Sequence, residues 1–157
     1  MPGSFNRSSV DASLAGTIFA GRLHHLPSVG STNALALEAA QSGAANGSVW
    51  VADEQTAGRG RSGHTWHSAS GDGLYVSVLL RPRMALAEAL WLSLATGLAA
   101  QTAISAVTGL TPDIRWPNDL LIGGKKCGGI LVETSSIAPQ SPAPAMLRYA
   151  VVGVGIN

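Results

Sequence analysis

The chain is poor in the residues that hold small disulfide scaffolds and metal centres together. Among 157 residues there is one cysteine, Cys127, and there are four histidines. A lone cysteine excludes an intrachain disulfide framework and the usual cysteine-rich zinc sites, so a reducing compartment is compatible and cytoplasm is the expected location. Charge is also scarce and balanced, with ten Lys plus Arg against nine Asp plus Glu for a net +1. No overall basic field argues for nucleic acid and no acidic tail argues for disorder, so any anion site has to be local. What the chain does have is apolar material, 46% of its residues, enough for one packed domain and too little for two ordinary ones.

From Ala89 to Pro112 there is no charged side chain, a stretch long enough to suggest a membrane span. Ser93, Thr96, Gly97, Gln101 and Thr102 interrupt it, and a small-residue helix buried against a sheet is the better account. Arg7 precedes a weak apolar patch at 14–20, but Asp11 and the glycines make a poor signal peptide. No membrane partner is expected.

The pattern along the chain predicts a short helix after Ser9 capped by Gly21, a strand over 23–29, and a helix that starts at Ser31 or Thr32 and ends at Gly43. Strands follow over 48–53 and 73–81, the second with two apolar faces as an interior strand requires. A long helix over 86–107 stops at Gly109, and short strands over 113–116 and 120–122 flank Pro117-Asn118. Gly123-Gly124 reads as a two-residue hairpin turn into a strand over 126–134. Prolines 139, 142 and 144 make 135–145 a surface loop before a last strand over 147–156. The antiparallel hairpin favours a mixed α/β or α+β sheet with helices packed on it over a doubly wound one. Residues 1–22 read as an N-terminal extension, too short for a DNA-binding domain. Residues 23–157 read as one domain, incomplete because its last strand stops at Asn157.

Three stretches could carry chemistry. In Gly58-Arg59-Gly60-Arg61-Ser62-Gly63-His64-Thr65-Trp66 the glycines free the backbone to present N–H groups, two guanidiniums add anion contacts, and Trp66 offers an apolar wall. The same composition also suits a mobile surface loop. Arg115-Trp116-Pro117-Asn118-Asp119 joins a cation, an amide and a carboxylate; it either reads a polar ligand or is a buried Trp116 with turn-capping neighbours. Lys125 and Lys126 should point to opposite faces of a strand, so that one could meet a pocket. Neither glycine-rich stretch has the Gly-Lys-Ser/Thr of a P-loop, and Gly153-Val154-Gly155 lacks the following helix of a dinucleotide fingerprint. The histidines form no metal set, and Cys127 between small residues reads as packing rather than as a nucleophile.

Taken in order, Ser31-Thr32-Asn33, Gln55 with the Gly58–Trp66 loop, Trp116-Pro117-Asn118-Asp119-Leu120, Lys126-Cys127-Gly128-Gly129-Ile130-Leu131-Val132-Glu133 and Gly153-Val154-Gly155-Ile156-Asn157 resemble the motifs of the biotin protein ligase catalytic domain. The resemblance implies an ATP- and magnesium-dependent enzyme that forms biotinyl-5′-adenylate and transfers biotin to a lysine of a biotin carboxyl carrier protein. It also implies a fold related to class II aminoacyl-tRNA synthetases and lipoate ligases, and possible homodimers. By the same resemblance Ser31, Thr32, Asn33, Gln55, Gly58, Arg59, Gly60, Arg61, Trp66, Lys126 and Gly129 would hold biotin. Arg59, Arg61, Trp66, Arg115, Asn118, Asp119, Lys126 and Asn157 would hold ATP or the adenylate. Lys126, Arg61 and Asp119 would be catalytic, with magnesium carried mainly by phosphates and no protein-held metal. His64 and Arg115 depart from the Arg and Lys usual at those places, and Cys127 lies beside the implied catalytic lysine. A lipoate or octanoate transferase on the related scaffold, and an inactive biotin- or nucleotide-binding fragment, are the alternatives.

Overall fold

The computed structural model describes residues 5–139 and 142–157. The first four residues of the expected N-terminal extension, and Gln140 and Ser141 of the expected surface loop, lie outside the described residues. Among those described, seven strands form one sheet: β1 (Leu23–Leu26), β2 (Val49–Ala52), β3 (Leu74–Leu80), β4 (Asp113–Arg115), β5 (Asp119–Ile122), β6 (Lys125–Ile137) and β7 (Met146–Ile156). Three α-helices accompany them: α1 (Arg7–Ser13), α2 (Thr32–Gln41) and α3 (Leu90–Thr108).

The sheet order is β1-β2-β3-β7-β6-β5-β4, with β1 and β2 parallel and every other neighbouring pair antiparallel. It is the mixed sheet that the hairpin predicts. α2 supplies the crossover that a parallel pair needs. At the β5–β6 turn Gly123 and Gly124 both take positive φ, 57° and 76°, the backbone that a tight hairpin matching strand twist demands.

Alternation along the central strands sorts residues onto two faces. On the first, Ala36 and Ala40 of α2 pack on Trp50, Leu79, Tyr149 and Val151. On the second, Leu23, Val49, Val51, Val76 and Val78 lie under Phe5, Val10, Leu14 and Phe19 of the N-terminal segment. α3 continues the cover of this second face over the outer strands, where a Cβ at Gly97 would sit 3.5 Å from Ile130 Cδ1 and 3.7 Å from Ile114 Cγ2.

Several boundaries differ from expectation. α1 begins earlier because Asn6 caps it, accepting from Ser9 N–H at 3.0 Å, and it ends at Leu14 rather than at Gly21. β1 stops before Pro27, which has no N–H to continue a ladder. β6 runs three residues past Thr134, with Ser136 and Ile137 paired to Leu147 and Met146 beyond a register shift. The largest correction concerns α3. It was expected to be buried, yet only Ser93 and Gly97 are, while Trp91 is 65% and Val107 86% exposed. Leu86–Thr108 is long and apolar enough to cross a membrane by length and composition. Here its small residues serve close approach to the sheet along one narrow stripe, and the opposite side of the helix is apolar and open.

Candidate functional site

β7 shows how the sheet makes room for a site. Its residues on the first face run Tyr149, Val151, Gly153, Gly155, large under α2 and then empty beyond it. A Cβ at Gly153 would lie 2.2 Å from Asn33 Oδ1, and one at Gly155 would lie 2.3 Å from Trp66 Nε1. The glycines therefore admit the start of α2 on one side and the indole on the other. Between them is a small pocket open to solvent, about 50 Å³.

The floor is polar and densely bonded. Ser31 caps α2, its hydroxyl accepting from Ala34 N–H at 3.4 Å. Thr32 N–H donates to Gln55 Oε1 at 2.8 Å, and Gln55 Nε2 donates to Ser68 Oγ at 2.9 Å. The Thr32 hydroxyl is 3.0 Å from Gln55 Oε1 and 2.8 Å from Ser77 Oγ, which in turn is 2.6 Å from Asn33 Oδ1. Three oxygen–oxygen contacts share two hydroxyl protons, so one contact lacks a hydrogen. The floor is polar, which suits a ligand carrying N–H and C=O groups, as a urea or amide does.

The Gly-Arg stretch folds back on itself as a hairpin. Trp66 N–H donates to Gly58 O at 2.9 Å and Gly60 N–H to His64 O at 2.7 Å, and the tip turns through Ser62 and Gly63 at φ +56° and +77°. Arg61 Nη1 donates to Asn118 Oδ1 at 2.8 Å, and Arg59 is paired with Glu133. Trp66 lies over Gly129 and Gly155, and its buried Nε1 has no partner.

Lys126 completes the far wall. Its Nζ is 5.2 Å from the Trp66 ring centroid and 2.8 Å from Asp119 Oδ1, while Arg115 Nη2 takes Asp119 Oδ2 at 2.8 Å. Burial pushes the Asp119 carboxyl up, but the hydrogen bonds and charges of Arg115 and Lys126 outweigh it and hold the group below the usual carboxylate range. Burial pushes the Cys127 thiol up, and its Sγ donates to Leu120 O at 3.4 Å, so it is a protonated packing group. Lys125 and Lys126 are both exposed, but only Lys126 lines the pocket.

One pocket is lined by Ser31, Thr32, Asn33, Gln55, Arg59, Gly60, Arg61, Trp66, Asn118, Lys126 and Gly129, all singled out from sequence. Four others sit elsewhere. Gly58 lies beneath the loop, where a Cβ would meet Trp66 O at 2.4 Å, so it shapes the hairpin rather than touching a ligand. Arg115 and Asp119 stand behind Lys126, outside the lining, because each is spent on the other. Asn157 donates its side chain to His67 O at 3.2 Å and its N–H to Cys127 O, which fixes the end of β7. Trp116 is exposed rather than buried. Sequence reasoning assigned nothing to Ser77 or to Glu133. A serine between Tyr75 and Leu79 on a core face was the available signal for Ser77, and a carboxylate ending the apolar run 130–132 was the signal for Glu133. Among the described residues no three His, Cys, Asp or Glu side chains could hold a metal together.

Residues 26–157 match the profile described as the biotin/lipoate A/B protein ligase family. The chain is 37% identical over 156 residues to the bifunctional ligase/repressor BirA of Bacillus spizizenii, covering 99% of this chain and 46% of that protein. To the biotin–[acetyl-CoA-carboxylase] ligase of Mycobacterium tuberculosis it is 38% identical over 133 residues, covering 82% and 46%. The fold resembles the biotin protein ligase from Aquifex aeolicus in complex with biotin and ATP, with a TM-score of 0.66, 34% identity and coverage of 87% and 52%. It also resembles the enzyme from Leishmania major in complex with biotinyl-5-AMP, at 0.64, 30%, 87% and 57%. The chain thus spans about half the length of the relatives it matches.

Proposed function

The chain belongs to the biotin/lipoate A/B protein ligase family, and on that premise we propose that it joins biotin to ATP as biotinyl-5′-adenylate and passes the biotinyl group to a lysine of a biotin carboxyl carrier domain. One observation carries this reading: Lys126, Arg59 and Arg61 line a single pocket with the polar side chains of Ser31, Thr32, Asn33 and Gln55. A ureido ring on the floor would send its carboxylate toward the cations.

A carboxylate is already a nucleophile at neutral pH, so the barrier lies in bringing two anions together and in stabilising charge at phosphorus. In the first step a biotin carboxylate oxygen bonds to the α-phosphorus and the bond to pyrophosphate breaks. Lys126 is placed to neutralise the shared α-phosphate and carboxylate, and Arg61 adds a second charge from the loop. Asp119 supports this by fixing Lys126. In the second step a neutral lysine amine attacks the acyl carbon, AMP leaves with the bonding pair, and a proton is lost to solvent. Among the described residues no three His, Cys, Asp or Glu side chains gather around a metal position, and magnesium needs few protein ligands when phosphates carry it. The metal is accordingly read as arriving on the phosphates, and no step is routed through it. Among the described residues β6 is paired with β5 only through residues 125–129, which leaves an edge over 131–137 where a carrier domain or a second copy could add a strand.

Calorimetry with biotin, lipoate and ATP, run alongside biotin-dependent pyrophosphate release, tests the reading. Biotin binding with turnover is expected; preference for lipoate selects the acyl-transferase alternative, and binding without turnover selects a binding module. Lys126→Ala should slow pyrophosphate release by roughly 10²–10³, the scale of one lost transition-state donor. An undiminished rate would remove Lys126 from the chemistry.

A further inference from the structure

A second cavity opens beside the pocket, and none of the roles assigned above uses it. It measures about 260 Å³ and is lined by Leu90 and Ser93 at the start of α3, by Pro117, and by Ile130, Val132 and Thr134 of β6. Arg61 and Asn118 line both cavities. An apolar cavity of roughly 150 Å³ already accepts benzene, so this one has room for an unbranched aliphatic chain.

The cavity exists because β5 stops pairing with β6 at Gly129. Beyond that point strand alternation turns Leu131 and Glu133 to the pocket side and Ile130, Val132 and Thr134 to the α3 side. The two cavities therefore lie on opposite faces of β6 and meet around its unpaired edge. At the junction Arg61 Nη1 donates to Asn118 Oδ1 at 2.8 Å. Asn118 is itself held, its Nδ2 donating to Ile130 O at 3.4 Å and its backbone carbonyl accepting from Ile130 N–H at 2.8 Å. Ser93 Oγ donates to Pro117 O at 2.8 Å, which ties the α3 wall to the turn and occupies that hydroxyl. Leu90 and Thr134 are exposed and form the rim.

These walls suit one kind of occupant. Leu90, Pro117, Ile130 and Val132 are apolar along the length, and free polar capacity is concentrated at the inner end. A lysine side chain has the matching form, an aliphatic stem with a nitrogen at its tip. An ammonium there would face the Arg61 guanidinium, which favours the neutral amine, the form that attacks carbon. Asn118 Oδ1 keeps a second lone pair beside the one that Arg61 uses, and it can accept an amine N–H.

We propose that this slot receives the side chain of the acceptor lysine, entering from the unpaired edge of β6, and presents its amine at Asn118 to an acyl group held in the pocket. The amine nitrogen bonds to the acyl carbon, the bond to the phosphate oxygen breaks, AMP leaves with the pair, and the amine proton passes to solvent. Acyl donor and amine thus arrive by separate entrances and meet at one edge. The identity of the acyl group rests on the function proposed above.

Supplying biotinyl-5′-adenylate pre-formed separates the slot from adenylation. Its reaction with methylamine and with n-pentylamine, amines of similar basicity, is followed by mass spectrometry of the amides and corrected for the rate without protein. Each buried methylene is worth about fourfold, so the wild-type chain should favour n-pentylamine by about tenfold or more. Leu90→Trp and Thr134→Trp enlarge exposed rim positions and should narrow that preference to about twofold, the methylamine rate of each variant serving as its own reference. Equal rates for the two amines in the wild type, a preference that survives in both variants, or no acceleration of either amine over the protein-free rate would each overturn the slot. Biotin-dependent pyrophosphate release judges the proposed function separately. Its absence in a wild-type chain that still prefers n-pentylamine would overturn adenylation and uphold the slot.

Discussion

Both carboxylate oxygens of Asp119 are filled, one by Lys126 and one by Arg115, at 2.8 Å each, and the side chain is only 15% exposed. A general base works best when its pKa lies near the working pH; a carboxylate held below its usual range by two cations is a poor proton acceptor and a good clamp. Asp119→Asn should therefore slow the proposed adenylation by freeing Lys126, by roughly 10–10², without moving the pH–rate profile between about pH 5 and 8. A limb of that profile that vanishes in the variant would restore a proton-transfer role. Stability gives a second check with a definite sign. Because the folded pKa is depressed, the ionised clamp stabilises the fold above the unfolded value of about 3.9. That contribution is lost as pH falls through the folded value. Urea unfolding should separate Asp119→Asn from wild type at neutral pH and bring the two together in acid. Arg115 in place of the usual Lys suits this arrangement, since a guanidinium can meet one carboxylate oxygen while lysine takes the other.

At the scale of elements, the change along β7 from Tyr149 and Val151 to Gly153 and Gly155 divides a packing surface from a binding surface. Gly155→Ala puts a methyl where Trp66 Nε1 now lies and should tip the indole off Gly129. Calorimetry should show biotin affinity falling by about tenfold or more, and the stability cost is about 1–3 kcal/mol, the range for overfilling a packed contact. Unaltered affinity would show that Trp66 does not shape the pocket. Much at this scale was legible in sequence, where local signals decide it: the Gly123-Gly124 turn, the Ser31 cap, the two apolar faces of β3 and the order of the motifs. What was not legible depends on partners distant in sequence. Ser135 and Ser136 look like loop residues, but Tyr149 and Leu147 stand opposite them and carry β6 onward. α3 carries no charge and so reads as buried, but along it only Ser93 and Gly97 are buried. Glu133 and Ser77 gain meaning only when folding brings them to Arg59, Asn33 and Thr32.

Over the whole molecule the two faces of the sheet have separate duties. The first carries α2, the Gly-Arg hairpin and Lys126, and so the proposed site. The second is covered by the N-terminal segment and α3. The segment is tied down by more than contact: Arg7 Nη2 donates to Leu23 O at 3.1 Å, and Phe5 stacks on His25 with centroids 4.2 Å apart. The described residues before β1 thus lie over the core as partly buried cover. Removing apolar area there should cost stability without reaching the pocket across the sheet. Leu14 and Phe19 are both half-buried on Leu23, Val49 and Val51, and truncating both to Ala forfeits about 2 kcal/mol at ordinary burial values. For a chain of this size that lowers the melting temperature by about 4–8 °C, while biotin affinity below the transition stays at the wild-type value. If affinity falls in step with stability, the faces are coupled and the division of duties is wrong. If neither changes, the N-terminal segment is not the cover that its contacts with the valine-rich face describe.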